Sequence, residues 1–145
     1  MCRKFTWLVL VVLVTGCGRD YRVSGFESYV DSFKAAAKTV GHELTINDLI
    51  IEFGKPASEN ADATCYQGAG TPRIAVDRSR WEKMEEMKRT ALLFHEMGHC
   101  VLERRHKEGI AEKGCPSSVM YPYTLSNDCF TEYKIQYETE LFSET

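Results

Sequence analysis

From Ser24 to Gly41 apolar side chains fall at Phe26, Tyr29, Val30, Phe33, Ala36, Ala37 and Val40. That three-and-four spacing predicts a helix with one buried face, and Gly41 is its natural stop. Leu44–Phe53 contains Leu49-Ile50-Ile51 and Phe53 before Gly54-Lys55-Pro56, which reads as a strand closed by breakers. Ala57–Thr64 is small and polar and reads as a loop. Cys65-Tyr66-Gln67 follows as a short strand before the breaker cluster Gly68–Pro72. Arg73–Asp77 is the next strand, with Ile74 and Val76 on one face.

Ser79-Arg80-Trp81-Glu82 has the form of a capping box, a Ser hydroxyl and a Glu three residues on serving the free amides of a helix start. The stripe Met84, Met87, Ala91, Phe94, Gly98 and Val101 then continues the helical period towards Arg105. A helix of that length is unusual in a globular domain, so a bend before Thr90 is expected. Lys107–Pro122 is loop-like. Phe130, Tyr133, Tyr137 and Leu141 mark a final helix from Phe130 to Phe142. No linker divides the chain, so the pattern predicts one small α+β domain over residues 24–145.

The composition of the 145 residues excludes some function classes. Eighteen Lys+Arg against 21 Asp+Glu, without a basic run, make nucleic acid a poor partner. The N-terminus adds a destination: Arg3 and Lys4, then an apolar stretch Phe5–Val14 broken only by Thr6, then small residues before Cys17. This is the order of a signal peptide, residues 1–16, and it is too short to span a bilayer, which takes about 20 apolar residues. Val14-Thr15-Gly16-Cys17 resembles the lipobox of bacterial lipoproteins. The resemblance implies cleavage before Cys17, acylation of that cysteine, a tether over residues 17–23 and a place in the bacterial cell envelope. Gly18 after the cysteine is similar to an outer-membrane address.

With Cys2 in the signal segment and Cys17 assigned to lipid, an even set remains: Cys65, Cys100, Cys115 and Cys129. Two disulfides are the expected use in an exported chain. Of the three possible pairings we favour Cys100 with Cys115 and Cys65 with Cys129, because the first would brace the helix to the segment after it. No CxxC spacing supports a cysteine metal site.

Three of the four His cluster in His95-Glu96-Met97-Gly98-His99 and His106. Residues four apart lie one turn above each other on a helix, so His95 and His99 can bind one zinc, at about 2.0–2.1 Å. Glu96 beside them can take a proton from a zinc-held water as general base. The third ligand is harder to place. Glu103 would lie roughly 12 Å along the helix axis from His95. His106 qualifies only if the chain turns back after about Leu102, and Glu103-Arg104-Arg105 offers no Gly for that turn.

HEMGHCVLERRH followed by Ser118-Val119-Met120-Tyr121-Pro122 resembles the metzincin clan of zinc metallopeptidases. The resemblance implies His95 and His99 as zinc ligands, Glu96 as general base, His106 as third ligand and Met120 as the residue of the Met-turn beneath the metal. The clan's consensus has Gly three residues after the second His and the third His three further on. Here Leu102 and Arg105 hold those places, and His106 comes one residue later, a one-residue insertion in the turn. The resemblance also implies an edge strand at Arg73–Asp77 that grips extended peptide by strand addition. Tyr121 or Tyr123 would be an oxyanion donor, though core packing is the plainer use of each, and His42 is an ordinary surface or helix-end residue.

The expected function is thus a zinc-dependent peptidase, an endopeptidase acting on peptide or protein in the envelope, monomeric and lipid-anchored, with one Zn2+ per chain. Two alternatives stay open: a gluzincin-type site with a glutamate such as Glu132 as third ligand, and a non-catalytic envelope lipoprotein whose fold zinc closes.

Overall fold

The computed structural model describes residues 20–143, the Glu112 side chain excepted. The signal segment and Cys17 lie outside the described residues. The predicted first helix is α1 (Glu27–Thr39), burying Tyr29, Val30, Phe33, Ala36 and Ala37, and Gly41 ends it in the left-handed region at φ 88°. Four short strands form one open sheet: β1 (Tyr21–Arg22), β2 (Leu49–Phe53), β3 (Ala63–Tyr66) and β4 (Arg73–Val76), ordered β1-β2-β4-β3. β1 falls within the stretch read as tether, where Tyr21 and Arg22 pair parallel with Leu49 and Ile50.

The sheet order corrects the expected edge. β4 is interior, parallel to β2 through Ile51↔Ile74 and antiparallel to β3 through Cys65↔Ile74. Ile74, Ala75 and Val76 are all fully buried, the continuous apolar run of a strand covered on both faces rather than an alternating edge. The antiparallel edge is β3, which buries Ala63 and leaves Thr64, Cys65 and Tyr66 partly open.

The expected bend before Thr90 is present as a full break: α2 (Arg78–Trp81) and α3 (Glu86–Cys100) are separate helices. The capping box at Ser79–Glu82 does not form. Asp77 caps α2 instead, its Oδ1 accepting from the Arg80 amide at 2.9 Å and from the Ser79 hydroxyl at 2.7 Å. A carboxylate at that position reaches the free amide before the serine can. α3 stops at Cys100, short of Arg105. The last helix, α4 (Asn127–Ser143), starts earlier than expected and leaves helical geometry at Tyr133.

An aromatic chain through the core holds the helices together. Phe33 of α1 lies 5.2 Å from Phe94 of α3 and 5.0 Å from Phe142 of α4, and Phe94 lies 5.9 Å from Phe130 at the start of α4. Burying each such ring stabilises the fold by about 1.5–3 kcal/mol. Thr90 through Gly98 is buried without interruption, so α3 runs through the middle of the domain with its C-terminal turns fixed.

The disulfides pair otherwise than expected. Cys65 joins Cys100, with Cα atoms 5.7 Å apart, and Cys115 joins Cys129 at 5.6 Å. The last turn of α3 packs against β3, so Cys65 is the nearer partner for Cys100. The Cys115 loop meets the first turn of α4. Among the described residues no helix is long and apolar enough to cross a membrane.

Candidate metal centre

His95 and His99 stand one turn apart on α3, as the spacing predicts, with ring centroids 4.7 Å apart. The chain then turns back. Glu103 adopts the left-handed conformation at φ 55°, and the Gly98 carbonyl accepts from the Arg104 amide six residues on at 2.9 Å. That closure is wider than the five-residue span of a Schellman turn. Glu103 therefore performs a turn for which a glycine would be the default, and it lies three residues before His106. His106 comes back over the helix, 5.2 Å from the His95 ring and 4.8 Å from that of His99.

The three imidazoles offer ligand atoms within 4.8 Å of one another and could hold a metal ion. Their tautomers strengthen that reading. His95 Nδ1 donates to the Val119 carbonyl at 2.8 Å, and His99 Nδ1 donates to the Arg104 carbonyl at 2.6 Å. Each bond fixes the ring and leaves Nε2 as a lone-pair acceptor. Those two Nε2 atoms face each other at 3.1 Å. Two acceptors at that distance repel unless a cation lies between them, so the donor set fits a metal that takes neutral imidazoles. Burial, with the neighbouring imidazoles adding to it, lowers His95 to about 4 against the pull of the Val119 carbonyl. Burial lowers His99 as well. Both rings thus stay neutral and metal-ready at neutral pH.

Glu96 faces the same cleft, a cavity of about 410 Å³ lined by His95, Glu96, His99, His106, Cys65 and Pro122 among others. Its Oε2 accepts from the Cys65 amide of β3 at 2.7 Å. Burial raises its carboxyl to about 7, and the Cys65 hydrogen bond opposes the rise. Gln67, two residues after Cys65, donates to the His99 carbonyl. The free edge of β3 therefore borders the metal group, and the Cys65–Cys100 disulfide ties that edge to the residue after His99.

Met120 is fully buried beneath the helix, and a Cβ on Gly98 would lie 2.4 Å from its sulfur. Only a glycine admits so close an approach. Of the tyrosines, Tyr123 is 75% exposed and lines the cleft extension with Pro122, Thr124, Leu92 and Lys88. It is a surface residue, not a core one. Tyr121 is half-buried and its ring lies 6.0 Å from that of Tyr123. Glu132, the alternative ligand, pairs with Lys113 at the surface, away from the histidines. His42 is exposed at the end of α1.

Sequence reasoning missed the groups that orient the ligands. Three are main-chain atoms, the Val119 and Arg104 carbonyls and the Cys65 amide, which no residue type announces. The fourth is Glu140 of α4, which accepts from Arg104, Lys107 and Ser118. An acid set beside the buried Tyr137 and Leu141 was its one available signal. Comparison with family models, with curated proteins and with solved structures finds no match to this chain.

Proposed function

We propose that the protein is a zinc-dependent peptidase, an endopeptidase of metzincin type, with Glu96 as general base and His95, His99 and His106 as the metal ligands. The observation that carries the reading is the pairing of two unlike things in one cleft: three imidazoles close enough together to hold one metal ion and a buried carboxyl raised to about 7. A structural zinc site is usually closed by four protein ligands, whereas three leave a position open. Among the described residues no fourth His, Cys, Asp or Glu joins the group.

When bound, zinc would polarise a carbonyl and lower the pKa of a water it holds to about 7. The chain does the rest. Glu96 lines the same cleft as the imidazoles, and a carboxyl poised near 7 can take a proton from water and return it to a leaving amine within one turnover. The Cys65 amide holds one of its oxygens and sets its direction. The free edge of β3 offers main-chain groups to an extended peptide, so the scissile bond would lie across the cleft regardless of side chain. Glu103 in the left-handed turn, three residues ahead of His106, supports the idea of one inserted residue in the metzincin consensus. Lipid anchoring through Cys17 would place this activity at the bacterial envelope.

The test is metal content by mass spectrometry on the chain from Gly18 onward, beside peptide cleavage. One zinc per chain, weakened in His106→Ala, with cleavage abolished in Glu96→Ala, is the expected result. Zinc that survives His106→Ala undiminished overturns the ligand set. Bound zinc without cleavage of any peptide in a broad mixture leaves the non-catalytic lipoprotein as the function.

A further inference from the structure

We propose that Glu140 is the positioning residue shared by all three metal ligands, a single carboxylate through which α4 fixes the two chain segments that orient His95, His99 and His106. The inference rests on the reading that these histidines hold a metal, and it does not depend on catalysis.

Glu140 stands on α4, two helices' worth of sequence away from the ligands. Its Oε1 accepts from Arg104 Nη2 at 2.8 Å and from Lys107 Nζ at 3.0 Å, and its Oε2 accepts from Ser118 Oγ at 2.6 Å. Arg104 also donates through Nη1 to the carbonyls of Leu141 at 2.6 Å and Glu140 at 3.2 Å. The pair is sheltered, with the Arg104 side chain 8% and the Glu140 side chain 18% exposed.

Each partner leads to a different ligand. The Arg104 carbonyl receives the Nδ1 proton of His99, so anchoring Arg104 anchors that ring. Arg104 and Lys107 bracket His106 in the chain, so holding both side chains on one carboxylate holds the turn between them. Ser118 Oγ, while donating to Glu140, accepts from the Met120 amide at 3.0 Å. The residue between them, Val119, receives the Nδ1 proton of His95. The Lys107 amide closes the arrangement on the Met120 carbonyl at 2.9 Å.

Charge gives a second reason. Arg104 and Lys107 bring two cationic side chains into the segment that carries His106, and nearby cations weaken the binding of a metal dication. Glu140 supplies the opposing charge. Removing the Glu140 charge takes an anionic partner from both Arg104 and Lys107, so the loss would reach the ligands and not merely the helix.

The test is zinc affinity of the disulfide-intact chain by competition with a chromophoric chelator, with the melting temperature of the metal-free form and the visible spectrum of the cobalt(II) form measured beside it. Glu140→Gln keeps the shape and removes the charge. It should weaken zinc by about 10–100-fold, the range found when groups that orient metal ligands are lost, and alter the cobalt spectrum. Glu140→Asp, charged but shorter, should fall between, and Glu132→Gln on the same helix should match the wild type. A Glu140→Gln chain that melts lower but binds zinc and cobalt as the wild type does would make the network a structural ion pair and overturn the proposal. Should Glu140→Gln not fold, Ser118→Ala decides: weaker zinc with a native circular dichroism spectrum supports the role, and unchanged zinc overturns it. Failure of the wild type to bind zinc is a separate result, which removes the metal reading itself.

Discussion

Two stretches of chain build the candidate metal centre by different means. On α3, His95, Glu96 and His99 ride a helix buried from Thr90 to Gly98, and their mutual placement follows from 3.6 residues per turn. The stretch from Val101 to Pro122 holds little regular structure beyond a short turn at Glu112–Gly114 and one bridge between Ile110 and Pro116. It nevertheless delivers His106, Met120 and the Val119 carbonyl to the same place. Its order comes from outside: the Glu140 carboxylate, the Cys115–Cys129 bond and the contact of Met120 with Gly98. Local periodicity can set a pair of ligands, whereas a third on a turn must be held by distant residues.

The largest expected effect falls on the helix side. On the proposed function, Glu96→Gln keeps the volume and the metal-binding histidines but removes the base, so peptide cleavage should fall by about 10²–10⁴-fold with zinc content unchanged. Steady-state rates beside metal analysis decide it. A variant retaining a tenth or more of the wild-type rate would take the base role away from Glu96.

The disulfides sharpen the contrast. By the loop-closure relation, removing Cys65–Cys100, with a separation of 35, should cost about 4 kcal/mol, and removing Cys115–Cys129, with a separation of 14, about 3 kcal/mol. Urea unfolding of metal-free double-serine variants measures both. The consequences at the site should differ in kind. The first loosens the Cys65 amide from Glu96, so cleavage suffers more than zinc binding. The second loosens the His106 stretch, so zinc affinity suffers first.

The same division explains what could be read from the chain beforehand. α1, β2, the break before Thr90 and the HExxH pair follow local period and punctuation, and each is where the pattern predicts it. The misplaced features depend on partners far away in sequence. Arg73–Val76 is interior because β3 folds back outside it, which Ile74 and Val76 alone do not reveal, although buried Ala75 between them was a clue. Cys100 meets Cys65 because α3 packs on β3. The turn to His106 lacks glycine and is carried by Glu103 in a conformation unfavourable for its side chain, made tolerable by the Arg104–Glu140 network. The Glu140 role was illegible for the same reason: its three donors lie 22 to 36 residues away.

Titration of the metal-free protein tests the helix side further. Glu96 is raised from 4.5 to about 7 chiefly by burial, so ionising it costs stability that is lost as pH rises through that window. His95 is lowered from 6.5 to about 4, again chiefly by burial, so its contribution is present above 6.5 and lost as pH falls towards 4. At about 1.4 kcal/mol per pH unit, each is worth about 3 kcal/mol over its range. The two slopes oppose each other where the windows overlap, and their sum there is near zero. Glu96→Gln removes one of them. The metal-free variant should lose about 3 kcal/mol between pH 6.5 and 4, while gaining stability over the wild type at pH 8. Urea midpoints that fail to separate the two proteins at pH 8 would show that Glu96 is not held protonated by burial.

The smallest effect lies at the joint between the two stretches. A Cβ at Gly98 would meet Met120 Sδ at 2.4 Å, Met120 Cε at 3.1 Å and Leu141 Cδ1 at 3.3 Å. Overpacking of this kind costs about 1–3 kcal/mol, while replacing glycine by alanine inside a helix returns about 1 kcal/mol. Gly98→Ala should therefore destabilise by about 1 kcal/mol net, since the thioether can yield but is enclosed on every side. The sign depends on Met120. In a Met120→Ala background only the Leu141 Cδ1 contact at 3.3 Å remains, and that side chain can shift into the vacated space, so Gly98→Ala should become stabilising by up to about 1 kcal/mol. A double-mutant cycle on thermal unfolding measures that reversal. Its presence would show that the turn leans on the helix through one sulfur atom. Additive effects would mean that the Met120 segment is held by Ser118 and Glu140 alone, and that α3 supplies its ligands without bearing on the turn that completes them.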